Sequence, residues 1–378
     1  MKLIRFSLLA SILILSGGAF QTVDGQESPQ GSTGFEPTFD PFFWLQIGAH
    51  IDLGDEESNS LILPKARFGA NGKVTEAFSY HFMLAGTASG AEEAEEREMK
   101  LLQTFMRYKF SDRTSMRLGQ FKYPFGIGTY PAFTTWDFNH PAFISGGIAR
   151  DLVHRDEETG SGLFRDLGIE IASSLVYDSG FKVGYKLMVM NGNGILKKDD
   201  NSDKDLVGRV SLSSPKSTGI GTWTLGSSFY RGTLHLIKDP LLFPDGEDHD
   251  EEAYGVDFRW DLHENNLRVA TVQAEIITAK TEAGEHDVLS DGEVSPAGFY
   301  VQGTYFTSAD FYWALRYDEF DHDSNAEGDD SRDRTTIGAC YYIDGQKNRH
   351  RINANYEMHN DPDHGSEDLI IVGVTLVF

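Results

Sequence analysis

Lysines and arginines recur in this chain at spacings that set them on one face of an extended backbone. Lys65 and Arg67, Arg107 and Lys109, and Lys182 and Lys186 stand two or four residues apart, and on a strand such positions share a face. Arg117, Arg209, Arg259, Arg316 and Arg351 keep the same phase within their own alternating segments. Cations along a narrow passage of low dielectric replace part of the hydration that an anion loses on entering it. Carboxylates occupy the same faces at Asp52, Glu170, Asp257, Asp261, Glu275, Asp318 and Glu357. The resulting wall is mixed, with base in excess, and any one cation serves equally well to pair with a neighbouring carboxylate and stiffen the wall.

The elements that hold these faces are legible as a rhythm running to the last residue. Tyr254, Val256, Phe258, Trp260 and Leu262 alternate with Gly255, Asp257, Arg259 and Asp261, and Phe311, Trp313, Leu315 and Tyr317 with Tyr312, Ala314, Arg316 and Asp318. Sixteen such strands are predicted, at 42–53, 61–70, 75–86, 100–110, 114–122, 167–177, 181–190, 204–213, 222–231, 253–262, 267–278, 298–307, 310–320, 333–343, 347–358 and 368–378. Long connections rich in acid, such as 91–98 and 245–252, alternate with tight turns such as 178–180 and 344–345. One apolar and one charged face per strand, an even count and segregated connection lengths together predict an all-β fold, a 16-stranded antiparallel transmembrane β-barrel. A barrel of that size leaves an aqueous interior. The terminal strand, closing on Phe378, resembles the signal by which outer-membrane assembly machinery recognises its clients.

Composition removes several other classes. The 378 residues carry 33 Lys plus Arg against 58 Asp plus Glu, a formal charge of −25, with no basic stripe of the kind nucleic acid requires. After the first twenty residues no apolar run approaches the length of a spanning helix. Met1, Lys2, Leu3, Ile4 and Arg5 precede an apolar run and then Ser16, Gly17, Gly18 and Ala19, which reads as a cleaved secretory signal peptide over 1–25. A short polar segment, 26–41, would then lead into the barrel, 42–378. The expected location is the Gram-negative outer membrane, with membrane lipid and lipopolysaccharide as neighbours. Cys340 is the single cysteine. No Gly-x-Ser-x-Gly elbow is present, so neither a catalytic set nor a cofactor is expected. The alternatives held open are a barrel enzyme and a surface protein whose acidic loops bind divalent cations or partners. Asp321-x-Asp323-x-Asn325 begins like a calcium loop, but Ala326 stands where such a loop needs Gly, and no metal site is assigned.

One connection, 123–166, is far longer than the rest. It is rich in Pro, Gly and aromatic residues, among them Phe125, Tyr130, Trp136, Phe138 and Phe143. A long loop without helical periodicity that is too aromatic for disorder is expected to fold into the barrel as a constriction. Arg117 and Lys122 lead into it, and Arg150, Arg155 and Arg165 lie in its returning half, so these five are the candidate constriction residues. Asp151, Asp156, Glu157 and Glu158 share that half, and no lysine lies between Tyr123 and Asp166.

Gly119-Gln120-Phe121-Lys122-Tyr123-Pro124-Phe125-Gly126 resembles the hallmark segment of the phosphate-selective porin O and P family. Lys65-Ala66-Arg67-Phe68-Gly69, Arg165-Asp166-Leu167-Gly168 and Gly298–Tyr305 with Arg316-Tyr317-Asp318 resemble further motifs of that family, in the same order. The resemblance implies sixteen strands, a homotrimer, a third outer loop folded inward, and an anion path whose motif positions here are Lys65, Arg67, Lys122, Arg165 and Arg316. The expected function is passive diffusion of small hydrophilic solutes with a weak to moderate preference for anions, phosphate among the candidates.

Overall fold

The structure is a computed structural model that describes residues 35–53, 59–86, 99–128, 130–145, 148, 164–199, 201–216, 220–236, 247–282, 293–325, 331–346, 349–362 and 365–378. The expected signal peptide, Arg150 and Arg155 lie outside the described residues. Extended segments follow one another as β1 (Thr38–Asp52), β2 (Asn59–Lys73), β3 (Phe78–Gly86), β4 (Met99–Lys109), β5 (Thr114–Lys122), β6 (Arg165–Val176), β7 (Lys182–Met190), β8 (Asp205–Ser213) and β9 (Thr222–Leu236). The series continues with β10 (Glu247–Glu264), β11 (Leu267–Glu282), β12 (Glu293–Val294), β13 (Ala297–Phe306), β14 (Phe311–Asp321), β15 (Arg332–Tyr342), β16 (Arg351–Asp361) and β17 (Gly365–Val377). The two-residue β12 only extends the pairing at the end of β11. Each of the other sixteen answers to one predicted strand.

Every pair is antiparallel, and β1 is bonded on both sides. Gln46 faces Lys65 of β2 and Thr375 of β17, so the sheet closes on itself. Phe378 completes the seam: its N–H donates to Phe43 O at 2.8 Å, and Phe43 N–H donates back at 3.1 Å. Closure satisfies the backbone without an edge, which hydrocarbon demands because no water is there to do it.

Side chains sort by phase as the sequence requires. Val256 is 50% exposed and Asp257 2%, and Leu315 is 57% exposed against 2% for Arg316. On β17, Ile371, Gly373 and Thr375 are buried inward, leaving Ile370, Val372, Val374 and Leu376 outward. Tyr108, Tyr305, Trp313 and Tyr341 are exposed near the short-turn ends of their strands, where an aromatic belt meets a membrane interface.

Three details depart from the expected pattern. β1 begins at Thr38, within the segment expected to be a polar leader. The acidic residues 247–252 are strand rather than loop, because β9 and β10 prolong their ladder to Leu236 and Glu247. The alternation of long and short connections fails at its end: residues 343–350 join β15 to β16 on the short side, and 362–364 join β16 to β17 on the long side.

An arginine at the centre of an outward strand face should be costly. Val256→Arg is expected to lower stability by about 2–4 kcal/mol, the range for a cation near the bilayer midplane, as read by urea unfolding in lipid vesicles.

Candidate functional site

The long connection leaves β5 through Tyr123, Pro124 and Phe125 and turns at Gly126, whose φ is +63°. A Cβ there would collide with the Glu275 carboxylate. Glu275, on β11, accepts the N–H of Ile127 at 3.0 Å through one oxygen and that of Gly128 at 2.9 Å through the other. Tyr300 OH donates to the same carboxylate at 3.0 Å, and Ser228 Oγ accepts Gly126 N–H at 3.0 Å. Further along, Asn139 N–H donates to Asn355 Oδ1 at 2.8 Å and Phe143 N–H to Asp318 Oδ1 at 2.8 Å. The carbonyls of His140 and Pro141 accept from Arg316 at 2.9 Å and Arg334 at 2.7 Å. Side chains of β9, β11, β14, β15 and β16 thus satisfy backbone groups that this irregular segment cannot pair within itself.

Apolar contact accompanies these bonds. Phe125, Ala142, Ile144 and Ile148 pack with Met188, Met190, Val207, Ala253, Ile277 and Phe320 in one buried cluster. The last six stand at inward positions of their strands, where a purely aqueous interior would carry polar residues.

Four of the five basic positions marked by motif meet on the wall beside this segment. Lys122 and Arg165 are direct partners across β5 and β6. The charges that act most strongly on Lys122 are Arg165, Arg67 and Lys65, in that order, and Lys65 feels Arg67 and then Arg351. Lys122 Nζ donates to Pro131 O at 2.8 Å. Trp136 lies beneath both ammonium groups, 4.7 Å from Lys65 Nζ and 5.9 Å from Lys122 Nζ, an arrangement that binds cations through the ring face. Five cations from β2, β5, β6 and β16 are thereby concentrated in one region.

The remaining wall cations have other surroundings. Arg117 grips Glu170 with two bonds of 2.8 and 2.6 Å and also donates to Tyr130 OH. Arg209 pairs with Asp257, Arg259 with Asp261 at 2.7 Å, and Arg316 with Asp318 at 3.0 Å. Arg316, a motif position, therefore stands apart from the basic cluster. Lys186 lies 3.8 Å over the Tyr130 ring. Lys109 bonds Asp112 in the adjacent turn at 2.6 Å. Lys182 and Arg107 are exposed, Arg107 opposite Arg117 across β4 and β5.

Two further arginines escaped the reading of the sequence. Arg334 bridges Asp318 at 2.8 Å and Glu357 at 3.2 Å; its phase with Thr336 and Cys340 on β15 would have revealed it. Arg268 reaches Asp137 at 2.7 Å, yet strict alternation from Gln273 puts it outside. The register shifts between Leu262 and His263, and this bulge returns Arg268 to the inner face. Asp323, in the segment that begins like a calcium loop, accepts Ser295 N–H at 3.0 Å and Asn325 N–H at 3.2 Å.

Residues 46–131 match the Phosphate-selective porin O and P family. The match includes Lys65, Arg67 and Lys122; Arg165 and the late strand pair lie beyond it. No curated protein matches the chain. Among solved structures, the outer membrane channel DcaP of Acinetobacter baumannii is 12% identical with a TM-score of 0.59, over 94% of this chain and 100% of that one. OmpF of Salmonella typhi, in complex with daunomycin, is 13% identical with a TM-score of 0.59, over 90% and 97%. The trimer form of OmpT, an outer membrane protein of Vibrio cholerae, is 11% identical with a TM-score of 0.51, over 90% and 99%. The shared fold is the closed sixteen-stranded porin barrel.

Glu275→Ala would leave the Ile127 and Gly128 amides without their acceptor, at roughly 1–3 kcal/mol for each buried group left unsatisfied. Hydrogen exchange at 126–128 should accelerate about tenfold or more, with the amides of β10 and β11 unchanged.

Proposed function

We propose that the protein is an outer-membrane porin through which small hydrophilic solutes diffuse passively, with a weak to moderate preference for anions and phosphate among them. The observation that carries this reading is the convergence of Lys65, Arg67, Lys122, Arg165 and Arg351 on one part of the inner wall of a closed barrel. Grouped cations attract an entering anion together. The segment that follows β5 acts as the constriction, folded into the barrel so that solutes pass beside the cluster. Its hydrogen bonds to Ser228, Glu275, Asp318 and Asn355 support that placement.

The apolar outer face meets membrane lipid, with lipopolysaccharide around the outer loops, and three copies assemble side by side. The trimeric form of a structural relative supports the assembly. Export follows from the signal peptide proposed for residues 1–25.

Charges within a Debye length of about 8 Å of the narrow point decide selectivity at physiological salt. Lys122→Glu should therefore lower chloride permeability relative to potassium more than Lys197→Glu does, Lys197 being exposed in the β7–β8 connection. Reversal potentials across a planar bilayer in a salt gradient measure this. A cation-selective parent channel, or equal effects of the two substitutions, would refute the assignment.

A further inference from the structure

The segment after β5 and the inner faces of β10, β11, β13 and β14 line an open-sided pocket of about 180 Å³. Its chemistry differs from that of the cluster around Lys122. Arg259, Arg268 and Arg316 line it, and each is bonded to a carboxylate, Asp318 being shared with Arg334. Arg259 holds Asp261 with bonds of 2.7 and 2.8 Å, Arg268 holds Asp137 at 2.7 Å, and Arg316 holds Asp318 at 3.0 Å. An entering anion would meet a carboxylate behind every guanidinium, and an entering cation the reverse, so neither gains much from the site.

Hydrogen-bonding capacity and flat apolar surface remain. The Gln302 amide lines the cavity and makes no hydrogen bond with the described residues, leaving two donors and an acceptor for a ligand. Arg268 commits one nitrogen to Asp137, so further N–H groups stay available. Trp136 and Phe138 line the pocket as well, one face of each ring carrying a cation, Lys65 at 4.7 Å and Arg316 at 4.6 Å, and the indole N–H of Trp136 is buried with no partner among the described residues. A volume below the ~300 Å³ at which drug-sized pockets begin suits a small solute.

We infer that this cavity is a subsite for a small, neutral, polyhydroxylated solute of monosaccharide size. Its hydroxyls donate to and accept from the Gln302 amide and the Arg–Asp pairs, while its C–H face packs on the aromatic rings. The inference depends on the channel reading only for access: solutes of two charge classes would use two surfaces of one passage, anions the wall around Lys122 and neutral polyols the wall around Gln302.

Glucose added to the channel in planar bilayers tests this. A saturable fall in chloride conductance is expected, beyond the fall produced by a viscosity-matched polymer too large to enter. Gln302→Leu, which breaks no hydrogen bond with the described residues, should raise the half-saturating glucose concentration about tenfold, the worth of one hydrogen bond of ~1.4 kcal/mol. Its unchanged reversal potential would certify an intact pore. Lys197→Glu should leave glucose binding unaltered. A conductance that falls only with viscosity, a saturable block indifferent to Gln302→Leu, or an equal Gln302-dependent block by glycine, a zwitterion, would overturn the proposal. Were the protein to form no conducting channel, the channel reading would fail by itself. Calorimetric titration of glucose into the detergent-solubilised barrel, parent against Gln302→Leu, would still decide the subsite.

Discussion

Pairing of every backbone N–H and C=O across the closed ladder is the constraint from which the rest of this molecule follows. Hydrocarbon offers no substitute partner, so the chain must remain extended through sixteen strands, and an extended chain sends alternate side chains to opposite faces. Val256 and Leu315 are outward because Asp257 and Arg316 cannot be. Charge is thereby forced into the interior, and the protein disposes of it in two ways. From β8 to β16, most inward arginines meet carboxylates: Arg209 with Asp257, Arg316 with Asp318, and Arg334 with both Asp318 and Glu357. Around β2, β5 and β6 it also brings several cations close to one another.

The same constraint governs the segment after β5. It is irregular, so its amides and carbonyls need acceptors and donors from elsewhere, and the inner wall has them because its polar residues had nowhere else to go. Glu275 receives two consecutive amides, and Arg316 and Arg334 each serve a carbonyl. Wall charges therefore have two duties. Glu275, Asp318, Arg316 and Arg334 hold the segment, and Lys65, Lys122 and Arg165 are collected beside it.

The fold was legible because a period of two is hard to counterfeit over so many strands, and Phe378 at the seam agrees with the terminal strand read from the sequence. The site was legible in part. Lys65, Arg67, Lys122 and Arg165 are marked by motif and converge, but no motif marks Arg351, whose neighbours come from strands distant in sequence. Arg268 was hidden by a bulge, which shifts phase without any sign in composition. Met188, Met190, Val207 and Ala253 were visible as apolar residues at inward positions. Their meaning needed a partner that only three dimensions supply. Arg150 and Arg155 fall outside the described residues, so their place at the constriction stays a sequence-based expectation.

Net charge is a poor guide to a pore, and this chain illustrates why. A total of −25 suggests an interior hostile to anions, yet potential at a narrow point is set by charges within about a Debye length. Acid inside the wall is largely committed: Asp257, Asp261 and Asp318 each hold an arginine, so at a distance each pair is close to a dipole. What would act on a passing ion is then the balance of charge close to it, and around Lys122 the wall brings Arg165, Arg67 and Lys65 together. Around Gln302, where Arg259, Arg268 and Arg316 are each bonded to a carboxylate, what the wall offers is hydrogen-bond geometry and shape rather than net charge.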